Sequence, residues 1–176
     1  MTPPEDQDAA EATRARRGGP LAVLCLSAFG LGLSPIVPGT VASLATAALL
    51  LWMPTGAVAF VGLWIVLLVF GTWATFAFVD AIPPEDGEKH GDPGWVVSDE
   101  VAGQAIASAP TLFWLGDWRL ALVALVAFRV FDMTKVGPVG RAEKLPGAKG
   151  VWLDDVVAGV LAASVTLAVG LTGVLP

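Results

Sequence analysis

Residues 57–79 run for 23 positions without a single charge, and this stretch limits the chain more than any other. A segment of about 20 apolar residues is long enough to cross a bilayer as a helix. A helix is also the one single-segment form that satisfies every backbone N–H and C=O group without help from water. Further apolar runs lie at 41–53, 95–113, 118–133 and 152–171, with a shorter one at 21–33. Of the 176 residues 55% are apolar and 15% charged, and mean hydropathy is +0.72, too apolar for an ordinary soluble domain. The expected fold is all-α: an integral membrane helical bundle of about six helices, some short or re-entrant. Trp52, Trp95, Trp114, Trp118 and Trp152 stand near the ends of runs, where an interfacial aromatic belt would place them.

The gaps between runs suggest a topology. Residues 1–19 are polar, acidic first and then basic at Arg14, Arg16 and Arg17, and read as a disordered tail. No A-x-A-like site follows, so a cleaved signal peptide is not expected. The stretch S-P-I-V-P-G-T from Ser34 to Thr40 interrupts any continuous helix, because proline lacks the N–H and crowds the preceding turn. Thr40 is the expected N-cap of the next helix. Read alone, this stretch is more simply a connector than an anion site at a helix N-terminus with the Ser34 and Thr40 hydroxyls beside it. The positive-inside rule puts the arginine cluster and the basic loop 135–150 on the cytoplasmic side. An even number of crossings then separates them. Runs 57–79, 95–113 and 118–133 supply three and 41–53 the fourth, leaving 21–33 shallow or re-entrant. Loops 34–40, 80–98 and 133–154 would share the cytoplasmic face.

Cys25 and His90 are the only residues of their kinds, which excludes an internal disulfide and a Cys/His zinc site. Cys25 reads as a small buried hydrophobe and His90 as a loop residue. The net charge of −6 does not suggest a nucleic-acid partner. What remains in quantity is carboxylate. Asp154 and Asp155 open the last apolar run, Asp99 and Glu100 stand at the start of an earlier one, and Asp132 lies near the end of a third, between Arg129 and Lys135. Acids at membrane depth are costly and need partners. Asp99 and Gly103 are four apart, as are Asp155 and Gly159, so each pair shares a helix face. Two helices meeting through those small residues would bring their acids together.

An all-oxygen donor set suits magnesium, with manganese the alternative, and disfavours zinc or copper. The candidate metal ligands are Asp99, Glu100, Asp154 and Asp155. Arg129, Lys135, Arg141, Lys144 and Lys149 are cations that could hold a phosphate. Acids at helix starts are also ordinary caps, but three acidic stretches on one predicted face exceed that role. A divalent-cation transporter or channel is the alternative from another class. It would spread acids through the membrane depth, whereas these lie at one level.

The same residues resemble a known family. G-L-G-L-S-P-I-V-P-G-T-V-A-S-L (30–44), D-E-V-A-G (99–103), F-R-V-F-D-M-T-K (128–135) and G-V-W-L-D-D-V-V-A-G (150–159) are similar, in order, to the motifs of phosphatidylglycerophosphatase A. After Lys135 the family pattern carries a proline, and here Val136 stands in its place. The resemblance implies a bacterial inner-membrane, multi-pass, magnesium-dependent lipid phosphatase whose single domain occupies 20–176. Its substrate would be phosphatidylglycerophosphate in the bilayer, hydrolysed to phosphatidylglycerol. It implies functional acids at Asp99, Glu100, Asp132, Asp154 and Asp155, with Arg129 and Lys135 beside them and the Ser34–Thr40 loop nearby. Combined with the charge chemistry, Asp99, Glu100, Asp132 and Asp155 are the candidate catalytic acids. Arg129, Lys135, Ser34 and Thr40 are the candidate phosphate-binding residues. Another lipid phosphate as substrate stays open.

Overall fold

The computed structural model describes residues 19–82 and 93–174. The tail expected before residue 19 and the loop residue His90 lie outside them. Among the described residues the regular structure is entirely helical. Seven helices follow in order: α1 (19–26), α2 (Pro38–Trp52), α3 (Ala57–Phe78), α4 (Ser98–Ser108), α5 (Trp118–Thr134), α6 (Val139–Ala142) and α7 (Ala148–Thr172).

The run 21–33 is not one helix. Ala28, Phe29 and Gly30 take left-handed φ values of 47°, 60° and 95°, which stop α1 and reverse the chain into a short 3-10 turn, Leu31–Leu33. The reversal is tied to the start of α4, where Val97 N–H donates to Leu26 O at 2.8 Å. Cys25 is buried.

The next helix begins earlier than expected. Pro38 occupies its first turn and Val37, at φ 42°, takes the N-cap position. Thr40 is therefore not the cap but a first-turn residue. Proline suits this place because the first N–H of a helix has no partner to lose and its φ is already helical.

The run 95–113 divides. α4 stops at Ser108 and continues as a 3-10 turn, Ala109–Trp114. Pro110 cannot accept α-helical geometry without clashing with the carbonyl four residues back. Thr111 Oγ1 donates to Ser108 O at 2.7 Å, satisfying a carbonyl at the break. α7 begins one turn before Trp152, where Asp80, in the 3-10 turn Val79–Ala81 that follows α3, supplies a long-range cap: Ala148 N–H donates to Asp80 Oδ1 at 2.8 Å.

α4 lies at the centre, against α7, α3, α2 and α5. Close approach is possible because glycines line the contacts. A Cβ on Gly71 would lie 2.9 Å from Ala102 N, and one on Gly159 would lie 2.5 Å from Gly103 O. α3 and α7 are long and apolar enough to cross a membrane. Much of their apolar surface faces outward: Val58, Val66 and Val69 of α3 are 89%, 61% and 59% exposed. Such an apolar exterior marks a surface that meets something other than water.

Candidate active site

One end of the bundle collects the starts of α2, α4 and α7 and the end of α5. Asp99 and Glu100 occupy the first turn of α4, a place where carboxylates gain from the helix dipole. The α4 start is fixed to α3 by a 2.9 Å hydrogen bond between the Ser98 and Thr75 hydroxyls, and Thr75 Oγ1 also donates to Gly71 O. Asp154 and Asp155 lie in the second turn of α7 and are buried. The Gly103–Gly159 contact sets the two helices close enough for their acids to converge. Oxygen atoms of Asp99, Glu100 and Asp155 all lie within 4.8 Å of one another.

The donor chemistry fits a hard divalent cation. Asp155 is 2% exposed, and its Oδ2 is buried with no hydrogen-bond partner among the described residues. A buried carboxylate oxygen with no donor is costly, and a cation would satisfy it. Asp99, Glu100 and Asp155 can therefore hold a metal ion.

Asp154 faces elsewhere. Consecutive helical residues point about 100° apart, so adjacent carboxylates do not aim at one ion. Asp154 Oδ2 accepts from Lys135 Nζ at 2.5 Å, and its Oδ1 accepts from Asp155 N–H at 2.9 Å. Lys135 Nζ also reaches Asp132 Oδ1 at 2.9 Å, and Asp132 Oδ2 pairs with Arg129 Nη1 at 2.7 Å. Arg129 Nη1 lies 3.9 Å from Glu100 Oε1. A continuous charged chain thus runs Asp154–Lys135–Asp132–Arg129–Glu100 and joins the acid triad at its last member. Burial alone would lower the Lys135 pKa, but the Asp132 and Asp154 carboxylates overcome that and hold it above its ordinary value. Lys135 sits at φ 49° as the C-cap of α5. This left-handed turn usually falls to glycine, and here it carries the ammonium that joins α5 to α7.

Removing that ammonium should be felt in stability. Lys135→Met would leave Asp132 and Asp154 facing each other without it. With Lys135 30% exposed, a loss of about 2–3 kcal/mol is expected, below the range for fully buried pairs. Thermal unfolding in detergent should show the drop, and adding Asp154→Asn should recover part of it.

The loop 34–40 reaches the site through a residue that the motif reading did not single out. A Cβ on Gly39 would overlap Glu100 Oε1 and lie 3.2 Å from Arg129 Nη1, so the α2 backbone abuts this ion pair. Ser34 Oγ instead closes a local turn, donating to Ile36 O at 3.0 Å and accepting from Ile36 N–H at 3.4 Å. Thr40 follows Gly39 in the first turn of α2 and is half-buried. The sequence signal for Gly39 was a glycine inside a helical first turn, where it is costly unless close approach requires it. Arg141, Lys144 and Lys149 are exposed and take no part in this chain of charges.

The sequence profile of one family, phosphatidylglycerophosphatase A, matches residues 24–170. The chain belongs to the phosphatidylglycerophosphatase A family. An Escherichia coli (strain K12) phosphatidylglycerophosphatase A is 32% identical over 95% of this chain and 92% of its own length. A Haemophilus influenzae phosphatidylglycerophosphatase A is 41% identical over a shorter span, 44% of this chain and 47% of the relative. A Bacteroides thetaiotaomicron protein, provisionally named a phosphatidylinositol-3-phosphatase, is 34% identical over 80% of this chain and 87% of its own length. No solved structure gives a significant match. Membership of the phosphatidylglycerophosphatase A family makes the protein a phosphatase.

Proposed function

We propose that this protein is a membrane-embedded, magnesium-dependent phosphatase that converts phosphatidylglycerophosphate to phosphatidylglycerol and phosphate in glycerophospholipid synthesis. The observation that carries the reading is the Asp99–Glu100–Asp155 triad, with oxygens within 4.8 Å, in a phosphatidylglycerophosphatase A chain. The bundle would be multi-pass in a bacterial inner membrane, with one domain over 20–176 and the site at the cytoplasmic face. The apolar exteriors of α3 and α7 support the membrane, and the basic residues of 135–150 support the face.

Asp99, Glu100 and Asp155 would hold the magnesium, with manganese the alternative. When bound, the ion would neutralise charge on the phosphomonoester and polarise its phosphorus–oxygen bonds. Lys135 and Arg129 would bind the remaining phosphate oxygens, Arg129 with its planar fork. Asp132 engages both cations through its two oxygens and so would set their spacing. Asp154 would anchor Lys135 from the other side. Glu100 is the member of the triad that faces Arg129, where it would orient the attacking water by accepting its hydrogen bond. The Ser34–Thr40 loop would close the site at Gly39, with Ser34 and Thr40 as the outer contacts. The D-x-D-x-T/V pattern of common aspartyl-phosphate enzymes is absent from the sequence, which favours direct attack by water.

The test is phosphate release by the pure protein from phosphatidylglycerophosphate in detergent micelles. Release should require magnesium and stop when the metal is chelated. No release with magnesium present would overturn the reading, and a phosphoenzyme trapped by acid quench would overturn direct attack by water. The name of the Bacteroides relative gives a second substrate reading, a phosphoinositide monoester. Running phosphatidylinositol 3-phosphate in parallel discriminates the two by kcat/KM.

A further inference from the structure

Segment 133–149 runs from the end of α5 through α6 into the first turn of α7 and carries more cation than the site absorbs. Its inner side is packed: Val139, Ala142 and Ala148 are buried, and a Cβ on Gly140 would lie 2.5 Å from Lys135 O. Its outer side carries Arg141, Lys144 and Lys149, all exposed. None of the three pairs with a carboxylate of the described residues. Glu143 is the one acid among positions 133–149. Exposed apolar side chains accompany these cations: Met133 (68% exposed) and Val136 (59%) precede Arg141, and Leu145 (40%) lies between Lys144 and Lys149. The pattern combines three features: cations held outward by a packed inner side, exposed apolar residues in the same segment, and direct continuity with Lys135.

We infer that this outer face docks anionic phospholipid headgroups of the surrounding bilayer, outside the catalytic cluster. The apolar residues would enter the headgroup–acyl boundary while the longer side chains reach the phosphodiesters. Charge complementarity selects the occupant, because cations at a membrane surface favour anionic over zwitterionic lipid. The inference rests on the proposed membrane setting and gives the site a local supply of anionic lipid that includes both substrate and product.

The test is native mass spectrometry of the full chain released from mixed micelles of phosphatidylserine and phosphatidylcholine. The wild type should retain phosphatidylserine roughly tenfold or more over phosphatidylcholine, and the preference should fall as salt rises. The variant R141Q/K144Q/K149Q should lose the preference yet hydrolyse phosphatidylglycerophosphate in uncharged detergent like the wild type. Equal retention of both lipids by the wild type, a preference indifferent to salt, or an unchanged preference in the folded variant overturns the inference. A chain that retained phosphatidylserine selectively but released no phosphate would uphold it while removing the catalytic reading.

Discussion

Asp155→Asn should abolish turnover while leaving the fold intact or more stable. The substitution keeps the shape of a side chain that is 2% exposed and removes one charge from a triad whose oxygens lie within 4.8 Å. Without a cation those charges repel at a separation where Coulomb energy in a protein interior is several kcal/mol (~4 at 4 Å with an effective dielectric of about 20). Relieving part of that repulsion should raise the unfolding temperature of the metal-free protein. Magnesium stabilisation should shrink or vanish, because one of three oxygen donors has lost its charge. The expected loss in kcat/KM is about a thousandfold or more, beyond the ~10–100-fold typical of groups one layer further from a metal. Asp154→Asn makes the contrast. It loosens Lys135 rather than the metal, so magnesium affinity should hold and KM should rise. The pair of variants is read by manganese binding, thermal unfolding and steady-state kinetics. Wild-type manganese affinity in Asp155→Asn would remove Asp155 from the metal site, and equal effects of the two substitutions would remove the division of labour.

The helical character of the chain and its longer helices were legible in the apolar runs, and so were the acids and the glycines one turn beyond them, whereas α6 lies inside the stretch 135–150 that reads as a loop. The pairing of Gly103 with Gly159 follows from their four-residue spacing from Asp99 and Asp155. Less legible was anything set by a partner far along the chain. Asp154 and Asp155 look equivalent in sequence, and their separation into different neighbourhoods depends on Lys135, 19 positions away. Helical geometry alone carried part of that answer, since neighbouring side chains diverge by about 100°. The cap of α7 by Asp80 spans 68 positions and has no local signature. The left-handed residues Ala28, Phe29, Val37 and Lys135 also escaped, because none is a residue that favours such a conformation and tertiary contacts impose it. The 3-10 turn after α4 was within reach, since Pro110 interrupts the run. The loop 34–40 drew attention for its hydroxyls, yet its closest approach to the ion pair is Gly39 backbone, which no side-chain motif announces.

Gly159→Val should cost both stability and activity, and the two losses share one cause. Even the first carbon of a side chain there would lie 2.5 Å from Gly103 O and 3.1 Å from Ile106 Cβ. Backbone cannot yield as a flexible side chain would, so α7 must move away from α4. Gly103 cannot retreat freely, because a Cβ at that position would lie 2.6 Å from the Phe128 ring and 2.8 Å from Asp155 O, which shows how closely α4, α5 and α7 are already fitted. Overpacking of this kind typically costs about 1–3 kcal/mol, and a β-branched residue at the tightest point belongs at the upper end. Displacing α7 carries Asp155 away from Asp99 and Glu100, which belong to α4. A shift near 1 Å is enough to lose about a hundredfold in rate where geometry is set by positioned groups. Gly62→Ala on α3 is the control. No atom lies within 4 Å of its added Cβ, and alanine favours the helix by up to about 1 kcal/mol, so that variant should be as stable as wild type or more so, with full activity. Magnesium affinity decides the cause. If Gly159→Val unfolds at lower temperature yet binds magnesium and turns over substrate like wild type, then the helix contact supports the fold without setting the spacing of the acids.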